Sequence, residues 1–225
     1  MVSGSMLIIS RNGVYMRKKI VFILLSLLIL TACSNKVVEV VEETKVEENN
    51  VQEIVNSECK VLVVYFSRTG EQYRVGVIEK GNTEIVAEII SEQLNADLLE
   101  IVPFNDNYPK TYNELTDYAK KEQNENARPE YVKRIDVSGY DTIFIGAPVW
   151  WGDWPMIMYT FFENENLSGK TLIPFNTHEG SGLSGFDRKL QNSCKDSTVK
   201  EGLSIRGEDC QNNKDRVKEK VNSWL

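Results

Sequence analysis

The sequence runs to 225 residues, with 33 Asp and Glu against 26 Lys and Arg, one His, four Cys and a hydrophobic fraction of 41%. This is the make-up of an ordinary globular protein and excludes a collagen, a disulfide-packed miniprotein and wholesale disorder. The formal charge of -7 argues against nucleic acid as a partner, because phosphate contacts need a surplus of cations; a single His makes a multi-histidine metal site impossible, and the Cys are too widely spaced for a CxxC pair.

Residues 1–32 carry four cations (Arg11, Arg17, Lys18, Lys19) and no acid. Behind Arg17-Lys18-Lys19 comes an apolar run of 11 residues, Ile20 to Leu30, and then Thr31-Ala32-Cys33. A charged segment, an apolar segment and a small-residue end make an export signal, and the run is too short for a membrane span, which needs roughly 20 apolar residues. Residues 1–15 precede a second initiator, Met16, and read as an upstream extension. Leu30-Thr31-Ala32-Cys33 resembles the lipobox of bacterial lipoproteins. The resemblance implies cleavage before Cys33, lipidation of its thiol, and a mature protein anchored in the membrane on its extracytoplasmic side. The alternative is a plain secretory signal in which Cys33 is incidental. Removal of residues 1–32 leaves 22 cations against 33 acids, a formal charge of -11. Residues 33–58 are rich in Val, Glu, Asn and Lys, without aromatics, Gly or Pro; they read as an acidic flexible tether, with a short amphipathic helix as the alternative.

The remaining 166 residues, from Lys60, suffice for one domain. Val61 to Phe66 is a continuous β-prone run of the kind covered on both faces. Similar runs recur at 97–102, 142–146 and 171–175, and a weaker one at 199–205. Helical stripes alternate with them: Ile85, Val86, Ile89, Ile90 and Leu94; Tyr112, Leu115 and Tyr118; Met156 to Phe162 behind Pro155; Leu183, Phe186 and Leu190; Val217, Val221 and Trp224. Five strands alternating with five helices predict an α/β fold, a doubly wound parallel sheet with helices on both faces.

Open α/β sheets bind ligands beyond the carboxyl ends of their strands. After the first strand comes Ser67-Arg68-Thr69-Gly70, then eleven residues, then Asn82-Thr83 opening a helix. With the eleven residues removed, the sequence reads S-x-T-G-N-T. Hydroxyls and free backbone N–H groups at a helix start suit an anionic phosphate. At this point the chain resembles the flavodoxin family, whose phosphate loop occupies this place. The resemblance implies a five-stranded sheet of order 2-1-3-4-5 and non-covalent FMN held by Ser67, Arg68, Thr69, Gly70, Asn82 and Thr83. The insertion from Glu71 to Gly81 departs from the pattern: it is either a flap near the cofactor, with Tyr73 and Arg74 as contacts, or a surface loop.

After the third strand stands Ala147-Pro148-Val149-Trp150-Trp151-Gly152-Asp153-Trp154-Pro155. It resembles the flavodoxin loop that contacts the flavin ring, and marks Pro148, Val149, Trp150, Trp151, Gly152 and Asp153; indoles stack well on a flat apolar ring. The alternative for Trp151 and Trp154 is that they cap the core. After the fourth strand, Asn176-Thr177-His178-Glu179-Gly180-Ser181-Gly182 is a Gly-rich loop able to bring backbone donors close to a ligand. In the resembling family it lies against the pyrimidine end of the flavin, which marks Thr177, His178, Glu179, Gly180 and Gly182. His178 is either a tuning partner of reduced flavin or an ordinary polar loop residue.

In an exported domain Cys59, Cys194 and Cys210 meet disulfide-permissive conditions. Cys194 and Cys210 lie on consecutive elements and form the candidate disulfide, the alternative being three thiols that never meet. The resemblance implies an electron-transfer flavoprotein that exchanges electrons with a redox partner protein or a small-molecule donor or acceptor. An NAD(P)H-dependent quinone or flavin reductase on the same fold, or a non-redox flavin-binding module, are the alternatives.

Overall fold

The computed structural model describes residues 60–225; the export signal, Cys33, the tether and Cys59 lie outside the described residues. Fourteen elements follow in chain order: β1 (Val61–Tyr65), β2 (Gly70–Gln72), β3 (Gly76–Ile78), α1 (Asn82–Leu94), β4 (Asp97–Glu100), α2 (Tyr112–Glu125), β5 (Thr142–Pro148), α3 (Met156–Asn164), β6 (Thr171–His178), α4 (Phe186–Ser193), β7 (Thr198–Val199), β8 (Leu203–Arg206), α5 (Gly207–Asn212) and α6 (Lys214–Trp224).

The main sheet has the order β4-β1-β5-β6-β7, with β8 also paired to β6, and every pairing in it is parallel. Counting β7 and β8 as one interrupted strand gives the expected order 2-1-3-4-5. Successive residues of a strand point to opposite faces, and the two cores follow that alternation. Leu62, Val64 and Phe66 join Leu115 of α2, Ile157 and Phe161 of α3, and Phe186 and Leu190 of α4 on one face. Val63 and Tyr65 join Val86 and Ile90 of α1, Cys210 of α5, and Val217 and Val221 of α6 on the other. Each fully buried Leu, Ile or Phe contributes about 1.5–3 kcal/mol by leaving water. The close-packed centre of the second face requires a glycine: a Cβ on Gly146 of β5 would lie 2.1 Å from the Phe175 ring.

Two predicted elements change. The fifth strand, expected over 199–205, is broken between β7 and β8. The Lys200 N–H bonds the Leu172 carbonyl at 2.9 Å, so the even-numbered residues of β6 face the fifth strand. Pro174 is one of them and has no N–H to give. The pairing lapses there, with Gly202 lying against the Pro174 carbonyl. The insertion after β1 is an antiparallel hairpin, β2 with β3, in which Gly70 pairs with Ile78 and Gln72 with Gly76.

The candidate disulfide is corrected. Cys194 and Cys210 are both free and buried, one in each core, so the sheet separates them. Burial pushes their thiols up to about 11 and about 12, away from the reactive thiolate.

Candidate functional site

The carboxyl ends of β1, β5 and β6 open onto a cleft of about 270 Å³. The sequence pattern marked Asn82, Pro148, Val149, Trp150, Trp151, Thr177, His178 and Glu179, and all of these line it. Gln72, Tyr112, Thr116, Ala119 and Gly207 line it without having been marked.

The hydroxyl loop is closed across its insertion. A Cβ on Gly81 would lie 2.1 Å from the Ser67 Oγ, so the two halves of the split motif touch where the hairpin leaves and returns. Gly81 has no side chain to cap α1. Instead the Ser67 Oγ accepts the Glu84 N–H at 3.1 Å, and the Glu84 carboxylate accepts the Gly81 N–H at 3.2 Å, a capping box with its oxygen borrowed from the loop that follows β1. Thr83 and Thr177, both buried, share a hydrogen bond of 2.8 Å between hydroxyls, which ties the start of α1 to the end of β6. Ser67 and Thr83 thus stand beneath the cleft as braces. Arg68 turns aside: it pairs with Asp106 at 2.6 Å, donates to the Tyr108 carbonyl at 3.3 Å and lies 5.1 Å from the Tyr108 ring centre. Thr69 and Gly70 also stay off the cleft wall.

The tryptophan loop is a two-residue turn. Trp150 and Asp153 exchange both backbone hydrogen bonds, at 2.9 and 3.0 Å. Trp151 and Gly152 between them have φ of 51 and 73, the signature of a type I′ turn. A Trp in the left-handed region costs of order 1–3 kcal/mol. Its indole N–H compensates by donating to the Thr116 carbonyl at 2.8 Å, and the Lys120 ammonium sits 5.0 Å from its ring centre. Trp151 remains 53% exposed. Trp150 meets Phe66 and Tyr108 edge-on, at 5.5 and 5.4 Å. Trp154 belongs to the core, stacked on Phe186 at 3.8 Å. Asp153 accepts from the Trp154 N–H and the Tyr159 hydroxyl and pairs with Lys189; it holds the turn and, like Gly152, does not line the cleft.

The Gly-rich loop hangs from Asn176, whose buried amide donates to the Gly182 and Leu183 carbonyls and accepts from the Ser204 hydroxyl. Gly180 and Gly182 are set back from the cleft wall. The His178 Nδ1 accepts the Gly180 N–H at 2.8 Å. Burial, then the Arg206 and Lys220 charges, holds this imidazole below its ordinary range, so at neutral pH it is uncharged and carries its proton on Nε2. Burial raises the Glu179 carboxyl; one oxygen accepts the Glu208 N–H at 2.8 Å. Behind Trp150, Glu122 is buried beneath the Tyr108 hydroxyl at 3.1 Å, and burial pushes its carboxyl up to about 7.

No group of His, Cys, Asp and Glu suited to a metal occurs among the described residues, and none of their helices is long and apolar enough to cross a membrane.

No curated protein matches the sequence. Among solved structures, a protein of Bacteroides uniformis, provisionally assigned as a flavoprotein, is 28% identical with a TM-score of 0.59, over 72% of this chain and 97% of that one. A similarly assigned protein of Bacteroides eggerthii is 28% identical with a TM-score of 0.57, over 73% and 96%. A flavoprotein of Lactobacillus acidophilus solved in complex with FMN shares the fold, at 22% identity and a TM-score of 0.51, over 64% and 92%. The family profile described as Flavodoxin matches residues 60–224, and with that match, the 2-1-3-4-5 sheet and the three loops around one cleft, the chain belongs to the flavodoxin family.

Proposed function

We propose that the domain binds FMN non-covalently in this cleft and serves as an electron carrier, held at the outer face of the cytoplasmic membrane by a lipid on Cys33. The observation that carries the reading is the convergence on one cleft of Asn82 at the start of α1, the tryptophan turn from Pro148 to Trp151, and Thr177, His178 and Glu179 at the end of β6, with Ser67 and Thr83 bracing the helix start behind them. The residues fit the group. Trp150 and Trp151 offer apolar ring surface, Asn82 opens a helix N-terminus, and two buried polar atoms of the wall, Gln72 Nε2 and Glu179 Oε2, have no protein partner. FMN supplies one- and two-electron chemistry when bound. The chain binds it, shields it and adjusts its surroundings. His178 offers an N–H at neutral pH without adding a positive charge. Burial weakens the acidity of Glu179, against the hydrogen bond it accepts from the Glu208 N–H. The exposed edge of Trp151 gives a partner protein or a small redox molecule a place to approach.

The test is to purify the protein, identify any bound flavin by mass, and add NADH or NADPH without oxygen while following absorbance near 450 nm. The carrier reading expects FMN that bleaches with dithionite and not promptly with either nucleotide. Prompt bleaching by a nucleotide replaces it with the reductase reading, and no flavin after reconstitution with FMN overturns both. For the anchor, Cys33→Ala abolishes membrane retention and the mass increment of a lipid; retention unchanged refutes it.

A further inference from the structure

Among the described residues, four buried side-chain polar atoms have no hydrogen-bond partner: Arg68 Nε, Gln72 Nε2, Thr160 Oγ1 and Glu179 Oε2. Leaving such a donor or acceptor unmade costs about 1–3 kcal/mol, so each needs a reason. Gln72 lines the cleft and sits on β2, in the hairpin that interrupts the phosphate loop. That hairpin is braced on two sides. The Glu71 N–H donates to the Lys110 carbonyl at 2.8 Å, and the Glu71 carboxylate accepts the Tyr112 N–H at 2.9 Å. The Tyr73 ring lies 5.6 Å from that of Tyr112, and Arg74 reaches Glu208 of α5 at 3.6 Å. The contacts hold Gln72 against the cleft, where its amide N–H has no protein acceptor. A neutral amide matches a carbonyl or hydroxyl oxygen better than it matches a phosphate, for which a cation is the stronger partner.

We propose that the inserted hairpin is a ligand-binding arm of the site, with Gln72 Nε2 donating a hydrogen bond to an oxygen of the ring or ribityl part of the flavin, and Tyr73 with Tyr112 forming the rim above it. This rests on the FMN reading. A ligand that completes this bond removes the penalty carried by the free protein, so the hairpin trades stability of the empty domain for affinity.

The experiment compares wild type, Gln72→Leu and Val77→Ala, the last an outward-facing residue of the same hairpin that is 79% exposed. The dissociation constants of FMN and of riboflavin for the apoprotein are read from quenching of flavin fluorescence, and apoprotein melting is recorded alongside. Gln72→Leu weakens both flavins by about tenfold, the worth of one buried hydrogen bond, while the apoprotein melts no lower than wild type. Val77→Ala changes neither flavin. Unchanged affinity in Gln72→Leu overturns the proposal, as does a lower apoprotein melting point with affinity intact, which marks a merely structural amide. Loss confined to FMN, with riboflavin unaffected, overturns the placement at the ring or ribityl oxygens. Wild type that binds neither flavin overturns the FMN reading itself, a result separable from all of these.

Discussion

Gly81→Ala tests the seam on which the hydroxyl loop depends. Gly81 has φ -67 and ψ 149, an extended conformation any residue adopts, so the cost comes from contact alone. The added Cβ would meet the Ser67 Oγ at 2.1 Å, the Arg68 carbonyl oxygen at 2.9 Å and the Ser67 Cβ at 3.0 Å. Rotating Ser67 relieves the first contact and breaks its bond to the Glu84 N–H, a loss of about 1 kcal/mol for a helix cap. The backbone contact remains and forces a shift costing about 1–3 kcal/mol, typical of overpacking. Stiffening the unfolded chain returns about 0.4–1 kcal/mol. The net is about 1–4 kcal/mol, a fall in melting temperature of roughly 2–14 °C for a domain of this size. Ser67→Ala alone loses only the cap, about 1 kcal/mol. Because both substitutions break the same hydrogen bond, the double variant costs about 1 kcal/mol less than their sum. Urea denaturation of the four proteins measures the cycle. A neutral Gly81→Ala, or strictly additive costs, refutes the argument that the two halves of the split motif are pressed together at this point.

The neighbouring tryptophans separate stability from binding. Trp154→Ala empties a buried, stacked site and costs about 3–5 kcal/mol, whereas Trp151→Ala removes a half-exposed indole, loses the bond to the Thr116 carbonyl for about 1 kcal/mol of stability and weakens FMN by about tenfold, about 1.4 kcal/mol; a stability loss in Trp151→Ala as large as that in Trp154→Ala, or FMN affinity left intact by it, contradicts the division into core and cleft residues. Glu122 gives a pH signature. Its carboxyl is raised from 4.5 to about 7 in the folded protein, so the folded state holds the proton more tightly than the unfolded chain. The stability this contributes is complete at acid pH and is lost as pH rises from about 4.5 through about 7. Relative to Glu122→Gln, wild type therefore loses ground between urea melts at pH 5 and pH 8, and a constant difference across that range rejects the buried, protonated state.

What could be read from the sequence divides along physical lines. The parallel core strands were legible because burial on both faces demands unbroken apolar runs, and Val61 to Phe66 or Thr142 to Gly146 have no other use. Helix positions followed from apolar spacing in the same way. The break in the fifth strand was not legible: it depends on which side of β6 Pro174 faces, and direction is a property of the register rather than of the residue. The disulfide failed for a related reason, since nearness along the chain says nothing about which side of a sheet a thiol occupies. At the cleft, Asn82, Trp150, Trp151 and His178 carried signals because hydroxyl, indole and glycine patterns at strand ends are chemically distinctive. Tyr112, Thr116 and Ala119 carried none, being ordinary members of an amphipathic helix that happens to turn toward the opening.

The hairpin is the instructive case. Its strands, Gly70–Gln72 and Gly76–Ile78, are three residues each, too short for a period-two pattern to rise above chance, and in isolation a hairpin of that size is marginal at best. It is ordered by what it touches: the Lys110 carbonyl, the Tyr112 N–H and ring, and Glu208. Those partners lie about 40 and 130 residues away along the chain, and no local reading brings them near. An insertion that splits a strand-to-helix loop would ordinarily loosen it. Here Gly81 closes the seam, Ser67 caps the helix across it, and the inserted residues are returned to the cleft wall, so the departure from the simple motif adds polar surface to the site without dismantling it.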